Sequence, residues 1–428
     1  MEKEMTLPMF GRYPRIDRME LSTVLKRVDA SRESMVSFLS RIISIPAIGP
    51  VSGGTGEMEK AETLMSLLEE FGFEDIRRHD AEDIRVPSGK RPNIELFLKG
   101  ESSEKRFVVI THMDVVPPGD LSQWTGDPFK ARIENGRMIG RGVEDNGQAM
   151  TASIFALKAI MDEGLTPEYD VSLFIVSDEE ESNEKGIGHL LEEGLIRKSD
   201  LILVPDHGDP EGRVIETVEK TLLWLKISVK GKQCHASMPH LGRNAFRASM
   251  AFGTRVDKAL HERFDLKDPS FDHPFSSFEP TKKEPGVSGI NILPGEDAFH
   301  LDCRLLPDHS VEEVLRVMRG AASEVESEMN VSISVHPVLT ETTLHPTPSD
   351  AGIVRLLMKA VEKVTGSTPV TGGIGGGTCA ALLRNHGFEA AVWETIHNRA
   401  HSVDEYIEID NMIKDCKVMA VMCFESID

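Results

Sequence analysis

The sequence predicts an α/β fold in which a mostly parallel sheet flanked by helices is interrupted by a smaller α+β domain. Three features of the 428-residue chain carry this. Short apolar runs alternate with amphipathic helical patterns through the first half, as βαβ units do. After about Ile215 the texture changes to half-solvated strands with helices between them. From about Asp350 the α/β texture returns, so the middle of the chain reads as an insertion.

In the first half the strand signals are NIELFL at Asn93 to Leu98, FVVIT at Phe107 to Thr111, VSLFIV at Val171 to Val176 and LILV at Leu201 to Val204. A helical pattern runs from about Glu57 to Phe71. A clearer one runs from Gly147 to Glu163, where Met150, Ile154, Leu157, Ile160 and Met161 recur at spacings of three and four and describe a buried helix face. Within the insertion, Leu222 to Val229 alternates like a half-solvated strand and a helix follows near Asn244 to Arg263. Lys267 to Pro285, rich in Pro, Ser and Phe, is expected to be a loop. Strands at Asp297 to Leu305 and Val331 to Val338 flank a helix at Val311 to Met329. The last part has a helix at Ala351 to Val364, a glycine loop, a helix at Thr378 to Asn385 and a strand at Ala390 to Glu394.

Composition bounds the function. Seventy acidic residues against 48 basic ones give a formal charge of −22, so the basic footprint that binds a phosphate backbone is absent and nucleic acid is not an expected partner. With 40% apolar residues the chain can build proper cores. Five cysteines without a CxxC pair suggest a reducing compartment. The N-terminal residues 1–22 have no apolar core of the kind a secretory signal needs, and no stretch reads as a membrane span. The expectation is a cytoplasmic protein without a membrane partner.

The ionisable residues are placed unevenly. In open α/β sheets, sites form beyond the carboxyl ends of the strands. His112 and Asp114 follow FVVIT, Asp178, Glu179 and Glu180 follow LFIVS, Asp206 follows LILVP, and His401 lies shortly after AAVWETI. Asp145, in GRGVEDNG, precedes the clearest helix. Any one of these acids alone would be a helix cap or a turn residue. Several strands delivering histidine or carboxylate to one edge is a different matter, because packing like charges together raises their pKa values unless a cation is present. Imidazole plus carboxylate without thiolate suits zinc or another divalent first-row ion. Five ligands exceed the three of a single catalytic zinc. Two ions ~3.5–4 Å apart, bridged by Asp145 and a water, fit the count. Asp114 is expected to accept the other ring N–H of His112 and fix its tautomer.

These residues in this order resemble the dinuclear-zinc exopeptidase and deacylase family that includes succinyl-diaminopimelate desuccinylase, acetylornithine deacetylase, aminoacylase, carnosinase-type dipeptidases and glutamate carboxypeptidase. The motifs are THMDVVPPGD, GRGVEDNGQ, SDEEE, VPDHGD, KGKQCHASMPHLGRNA, NILPG, CRLLP, GGIGGGT and HSVDE. The resemblance implies metal ligands at His112, Asp145, Glu180, Asp206 and His401, with Glu179 as general base. His401 is preferred over His397 because the H-S-x-x-E pattern starts there. It also implies a catalytic domain at residues 1–215 and 342–428 and a lid and dimerisation domain at 216–341. His235 matches a histidine that crosses to the neighbouring subunit's site in dimeric members. Asn291 and Arg304 match residues associated with the substrate's carboxylate, and Gly376, Gly377 and Thr378 match a substrate-contacting glycine loop. That loop lacks the lysine of a phosphate-binding loop.

The expected function is therefore hydrolysis of an amide bond in a small carboxylate-bearing substrate, a dipeptide or an N-acyl amino acid. It would use two divalent ions per chain, zinc first with cobalt or manganese as alternatives, in a homodimer formed through the lid. Asp206 stands where desuccinylases, deacetylases and glutamate carboxypeptidase generally have Glu, which favours a dipeptidase-like reading over succinyl-diaminopimelate desuccinylase or acetylornithine deacetylase. The rivals are a non-catalytic binding protein on the same fold, which an intact ligand set argues against, and a nucleotide-dependent transferase, which the missing lysine and the two histidines argue against. For Arg304 the alternative to substrate binding is an ion pair with Asp302.

Overall fold

In the computed structural model, which describes residues 18–271 and 273–427, the chain forms two compact units. The first takes the described residues up to Arg213, Arg355–Pro369 and those from Glu394 onward, and the second takes Val214–Val354 and Val370–Trp393. Most of the N-terminal stretch considered above lies outside the described residues.

The first unit is built on strands in the order Ile76–Arg78, Ile94–Leu98, Tyr169–Val176, Ser102–His112 and Leu201–Val204. The first two pairings are antiparallel and the next two parallel. Tyr169–Val176 is buried along its whole length, which is why it reads as a continuous apolar run and not as an alternation. The helix Ala149–Asp162 packs on this strand, on Ser102–His112 and on the helix Ile409–Met422. Of its periodic residues, Met150, Ile154, Leu157 and Ile160 are buried and Met161 is half-buried. The α/β class with a parallel sheet centre is what the sequence predicts.

Register positions the site. His112 is level with Val176, and Val109 is level with Leu203. Asp206 lies two residues beyond the end of Leu201–Val204, in a turn where its N–H bonds to the Val204 carbonyl at 3.1 Å. The segments that follow Val176 and Val204 thus leave the sheet at the edge where His112 sits.

In the second unit four antiparallel strands run in the order Ser277–Lys283, Glu296–Leu305, Thr221–Lys230 and Ser332–Glu341. Thr221–Lys230 buries Thr221, Leu223, Leu225, Ile227 and Val229 and turns the alternate side chains outward, the pattern of a sheet covered on one face. Residues from the helices Ala245–Arg263 and Val311–Met329 complete that core. Both helices start at side-chain caps: Asn244 accepts from the Arg247 N–H at 3.0 Å and Ser310 from the Glu313 N–H at 3.1 Å. Three further strands lie in the order Ala390–Val392, Val214–Glu219 and Val370–Ile374.

Two expectations change. The segment Lys267 to Pro285 is not all loop, since Ser277–Lys283 pairs with Glu296–Leu305. As an outer strand it tolerates Pro280 and three lysine or glutamate side chains facing water, and of its residues only Phe278 is fully buried, so no periodicity betrays it. The glycine loop begins as a strand, Val370–Ile374, parallel to Val214–Glu219. Gly373 is glycine because a Cβ there would meet the Phe271 ring at 2.4 Å.

Candidate metal centre

The acidic turn after Val176 hangs on two supports. Asp114, fully buried, accepts the backbone N–H groups of Glu179 and Glu180 at 3.2 and 3.0 Å. Asp178, in the left-handed region at φ +65°, accepts from the Ser182 hydroxyl at 2.6 Å and the Lys185 N–H at 2.9 Å. Its carboxylate lies 3.4 Å from the guanidinium of buried Arg91, which also pairs with Glu57. Lys60, also buried, donates to the Met113 carbonyl at 3.0 Å.

Asp145 and His401 come from two loops that are fastened to each other. Gly142, at φ +82°, turns the chain into the first. Glu405 accepts the N–H groups of Glu144 and Asp145 on one oxygen at 2.8 and 3.1 Å, and Gly142 N–H and the Arg141 guanidinium on the other at 3.1 and 2.5 Å. In return Glu144 accepts the N–H groups of His397 at 3.1 Å, Ala400 at 3.0 Å and Arg399. Asn146 donates to Asp206 Oδ1 and to the Pro205 carbonyl, both at 2.7 Å. Gly208 lets the segment after Asp206 run close by, since a Cβ there would meet the Glu394 carbonyl at 1.8 Å.

The side chains meet in one place. The carboxylate of Asp145 faces a histidine with each oxygen: Oδ1 is 2.9 Å from His112 Nε2, and Oδ2 is 3.0 Å from His401 Nε2. Asp206 Oδ1 lies 3.3 Å from His112 Nε2 and Glu180 Oε2 lies 3.0 Å from His401 Nε2. Ligand atoms of His112, Glu179 and Asp206 lie within 4.8 Å of one another, as do those of Asp145, Glu180 and His401. His112 is buried, whereas the His401 side chain is 55% exposed, so the cluster opens to solvent on the His401 side. His112 Nδ1 is 3.1 Å from the backbone carbonyl of Asp114 and 3.5 Å from its carboxylate. The ring is thus oriented by Asp114 mainly through the main chain. His397 sits aside, its ring tilted over Tyr406 at 5.7 Å.

The electrostatics are those of a carboxylate cluster short of positive charge. Burial and the neighbouring acid Asp206 push Glu179 well above the usual carboxylate range. Burial and Asp145 push Glu180 up to about 7, against the pull of His401. Burial also raises Asp206. Hydrogen bonds to Asp145 and Glu180 lift His401 to about 10. Burial alone would lower His112, but Asp206, Asp114 and Asp145 raise it well above its ordinary value. For Asp145 burial is outweighed by the two imidazoles, which hold it below the usual range.

The residues fit a pair of divalent ions. Each imidazole Nε2 faces two carboxylate oxygens, yet one N–H can be aimed at only one of them. A cation shared by all three donors removes that conflict and the excess of negative charge. The donors are imidazole nitrogen and carboxylate oxygen throughout, the set that suits zinc, cobalt or manganese.

The remaining predicted residues belong to the second unit. His235 is exposed, and its Nδ1 accepts from the Ser237 N–H at 3.2 Å and contacts the Ser237 hydroxyl at 2.7 Å. In the neutral ring the proton then resides on Nε2. His235 pairs with Ile292, and the Asn291 carbonyl accepts the Ala236 N–H at 2.9 Å, so Asn291 is its neighbour. Arg304 is engaged with Asp302 through two bonds, at 2.7 and 3.1 Å, and with the Gly375 carbonyl at 3.0 Å. Gly376 and Gly377 are exposed. The Thr378 hydroxyl donates to Glu219 at 2.7 Å and accepts from the Ala380 N–H at 3.1 Å, capping the helix Cys379–Asn385.

Sequence reasoning passed over Glu144, Asn146 and Lys60. Glu144 and Asn146 flank Asp145 in sequence and could have been suspected on that ground. Lys60 lies on the helix Met58–Glu70, and only its burial sets it apart.

The family model for peptidase family M20/M25/M40 matches residues 108–425. An uncharacterized metallohydrolase of Methanococcus maripaludis is 35% identical over 414 residues, covering 90% of this chain and 97% of the relative. A succinyl-diaminopimelate desuccinylase of Alkalilimnicola ehrlichii is 27% identical, covering 86% of this chain and 92% of its own length. Among solved structures, human carnosine dipeptidase 1 superposes with a TM-score of 0.73 at 18% identity, covering 96% of this chain and 99% of that one. At that identity the last likeness speaks for the fold alone.

Proposed function

This chain belongs to peptidase family M20/M25/M40 and is a metal-dependent hydrolase, and we propose that it cleaves the amide bond of a dipeptide or N-acyl amino acid at a two-metal site. The observation that carries the reading is Asp145, whose two oxygens each face one histidine with a second carboxylate beside it. In this reading His112 and Asp206 hold one ion, His401 and Glu180 the other, and Asp145 both. Zinc is the first choice of metal.

When bound, the ions supply Lewis acidity and bring the pKa of a water toward ~7. Glu179 takes the proton from the attacking water and returns it to the leaving amine. The same burial and neighbouring acids that raise its pKa suit it to that exchange. Asp114 holds the His112 ring and the Glu179–Glu180 turn in place. His235, with its proton on Nε2, donates to the oxygen that becomes negative in the tetrahedral intermediate, reaching it from the neighbouring subunit of a homodimer. Phe246 and Met250, exposed on the helix Ala245–Arg263, support a self-associating face on that unit. Residues 1–215 and 342–428 serve as the catalytic part and 216–341 as the lid.

Asn291 and Arg304 are assigned to the substrate's carboxylate and the exposed backbone of Gly376 and Gly377 to contact with substrate at the mouth of the site, with Thr378 fixing the loop. Arg304 must share or exchange its bond with Asp302 to do so. The short side chain of Asp206 favours dipeptides over N-succinyl-diaminopimelate. No described helix is long and apolar enough to cross a membrane, and all five cysteines are free, both of which agree with a cytoplasmic enzyme. Screening dipeptides, N-acetyl amino acids and N-succinyl-diaminopimelate on zinc-, cobalt- and manganese-loaded protein tests the proposal. Hydrolysis of dipeptides or N-acetyl amino acids above N-succinyl-diaminopimelate is expected. Turnover confined to N-succinyl-diaminopimelate would overturn the substrate reading, and no turnover of any class would overturn the activity.

A further inference from the structure

The loop that carries His401 turns through three residues with positive φ. Asn398, His401 and Asp404 all occupy the left-handed region, at φ +54°, +62° and +52°, which Asn and Asp tolerate and which His401 adopts at a cost. Something must hold it. From outside the loop, Thr125 and Arg132 bind the Asp404 carboxylate, and one buried carboxylate binds the loop's backbone: Glu144, 2% exposed, accepts the N–H groups of His397, Arg399 and Ala400. Glu405, from the loop's far end, accepts the N–H groups of Gly142, Glu144 and Asp145. Each segment therefore supplies the acceptor for the other's donors, and the Gly140 N–H to Glu405 carbonyl bond at 2.9 Å closes the pair.

We propose that Glu144 is a positioning residue that holds the loop at residues 397–404 so that His401 Nε2 faces Asp145 and Glu180, and that Glu405 does the same for Asp145. The inference rests on the two-metal reading and deepens it, because the two carboxylates then control different parts of the site. Among the described contacts, the Glu144 carboxylate bonds to backbone of the His401 loop alone. Glu405 sets Asp145, which faces both histidines.

A glutamine at position 144 offers one acceptor oxygen where three donors converge, and turns an amide N–H toward at least one of them. The test is a zinc titration of the metal-stripped full chain by calorimetry, with cobalt absorption spectra as a second readout, on wild type, Glu144→Gln and Glu405→Gln. Glu144→Gln is expected to weaken one equivalent ~10–100-fold, the usual cost of removing an outer partner of a metal site, and to leave the other unchanged. Glu405→Gln is expected to weaken both. Amide exchange at Arg399 and Ala400 in the metal-free protein should rise in Glu144→Gln and not at Glu179 or Glu180. If Glu144→Gln does not fold, Glu144→Asp keeps the carboxylate one methylene short and should show the same selectivity at smaller amplitude. Two equivalents at wild-type affinity in Glu144→Gln, or equal weakening of both, would overturn the proposal. A wild type that takes up a single equivalent would instead overturn the two-metal reading, and this inference with it.

Discussion

Replacing Glu179 by Gln separates the base from the ligands. The substitution is isosteric and leaves the backbone supports intact, with the Glu179 N–H to Asp114 at 3.2 Å and its carbonyl accepting from Asn183 at 3.3 Å. It removes a carboxylate from a cluster where Asp206, Glu180 and Asp145 already repel it, so the fold has no reason to lose stability. What is lost is the proton acceptor. General acid–base groups contribute ~10²–10⁴ in rate, which at 1.36 kcal/mol per decade is about 2.7–5.4 kcal/mol of barrier. The assay is kcat and KM on metal-replete protein, with metal content by atomic absorption on the same sample. The expected result is a kcat at least ~10²-fold lower, KM within a few-fold and two metals retained. Turnover within tenfold of wild type would take the base role from Glu179. Loss of a metal would make it a ligand, an arrangement its proximity to His112 and Asp206 makes worth testing.

Further predictions follow from the same geometry. His235→Ala should leave metal content untouched and lower kcat by ~10²-fold or more, the usual cost of losing an oxyanion donor; unchanged kinetics would exclude a subunit-crossing role. Burial pushes the Lys60 ammonium down to about 8, against the attraction of Asp114 and Glu57. Its folded pKa is below its unfolded one, so the stability it withholds at neutral pH returns as pH rises from about 8 to about 10.5, by at most ~3 kcal/mol. Urea denaturation across that range should show the rise in wild type and lose it in Lys60→Met, and parallel profiles would refute the assignment. Arg384 is buried against Glu216 at 2.8 Å and the Ala390 carbonyl at 3.0 Å. Arg384→Met strands Glu216 and should cost ~3–5 kcal/mol, as breaking a buried ion pair does, and a midpoint within error of wild type would contradict it.

The parts of the fold legible in the sequence were those whose burial is periodic or continuous. Leu201–Val204 and Val311–Met329 are found with the bounds expected, and most other elements within a few residues. The outer strand Ser277–Lys283 escaped because it buries only Phe278 fully. Val370–Ile374 escaped because its glycines, Gly373 packed against Phe271 and Gly372 against Val214, look like a turn. At the site, strand ends announced His112, Glu179, Glu180 and Asp206, since a parallel sheet brings consecutive strand ends to one edge. Glu144 stayed hidden because its partners are backbone N–H groups some 250 residues away in sequence, and no local pattern records those.

Anomalous diffraction at the zinc edge from crystals of the zinc-loaded protein bears most directly on the central claim. Two peaks ~3.5–4 Å apart are predicted, one against His112 and Asp206, the other against His401 and Glu180, with the Asp145 carboxylate between them. A single peak, or a second peak away from His401, would contradict the account.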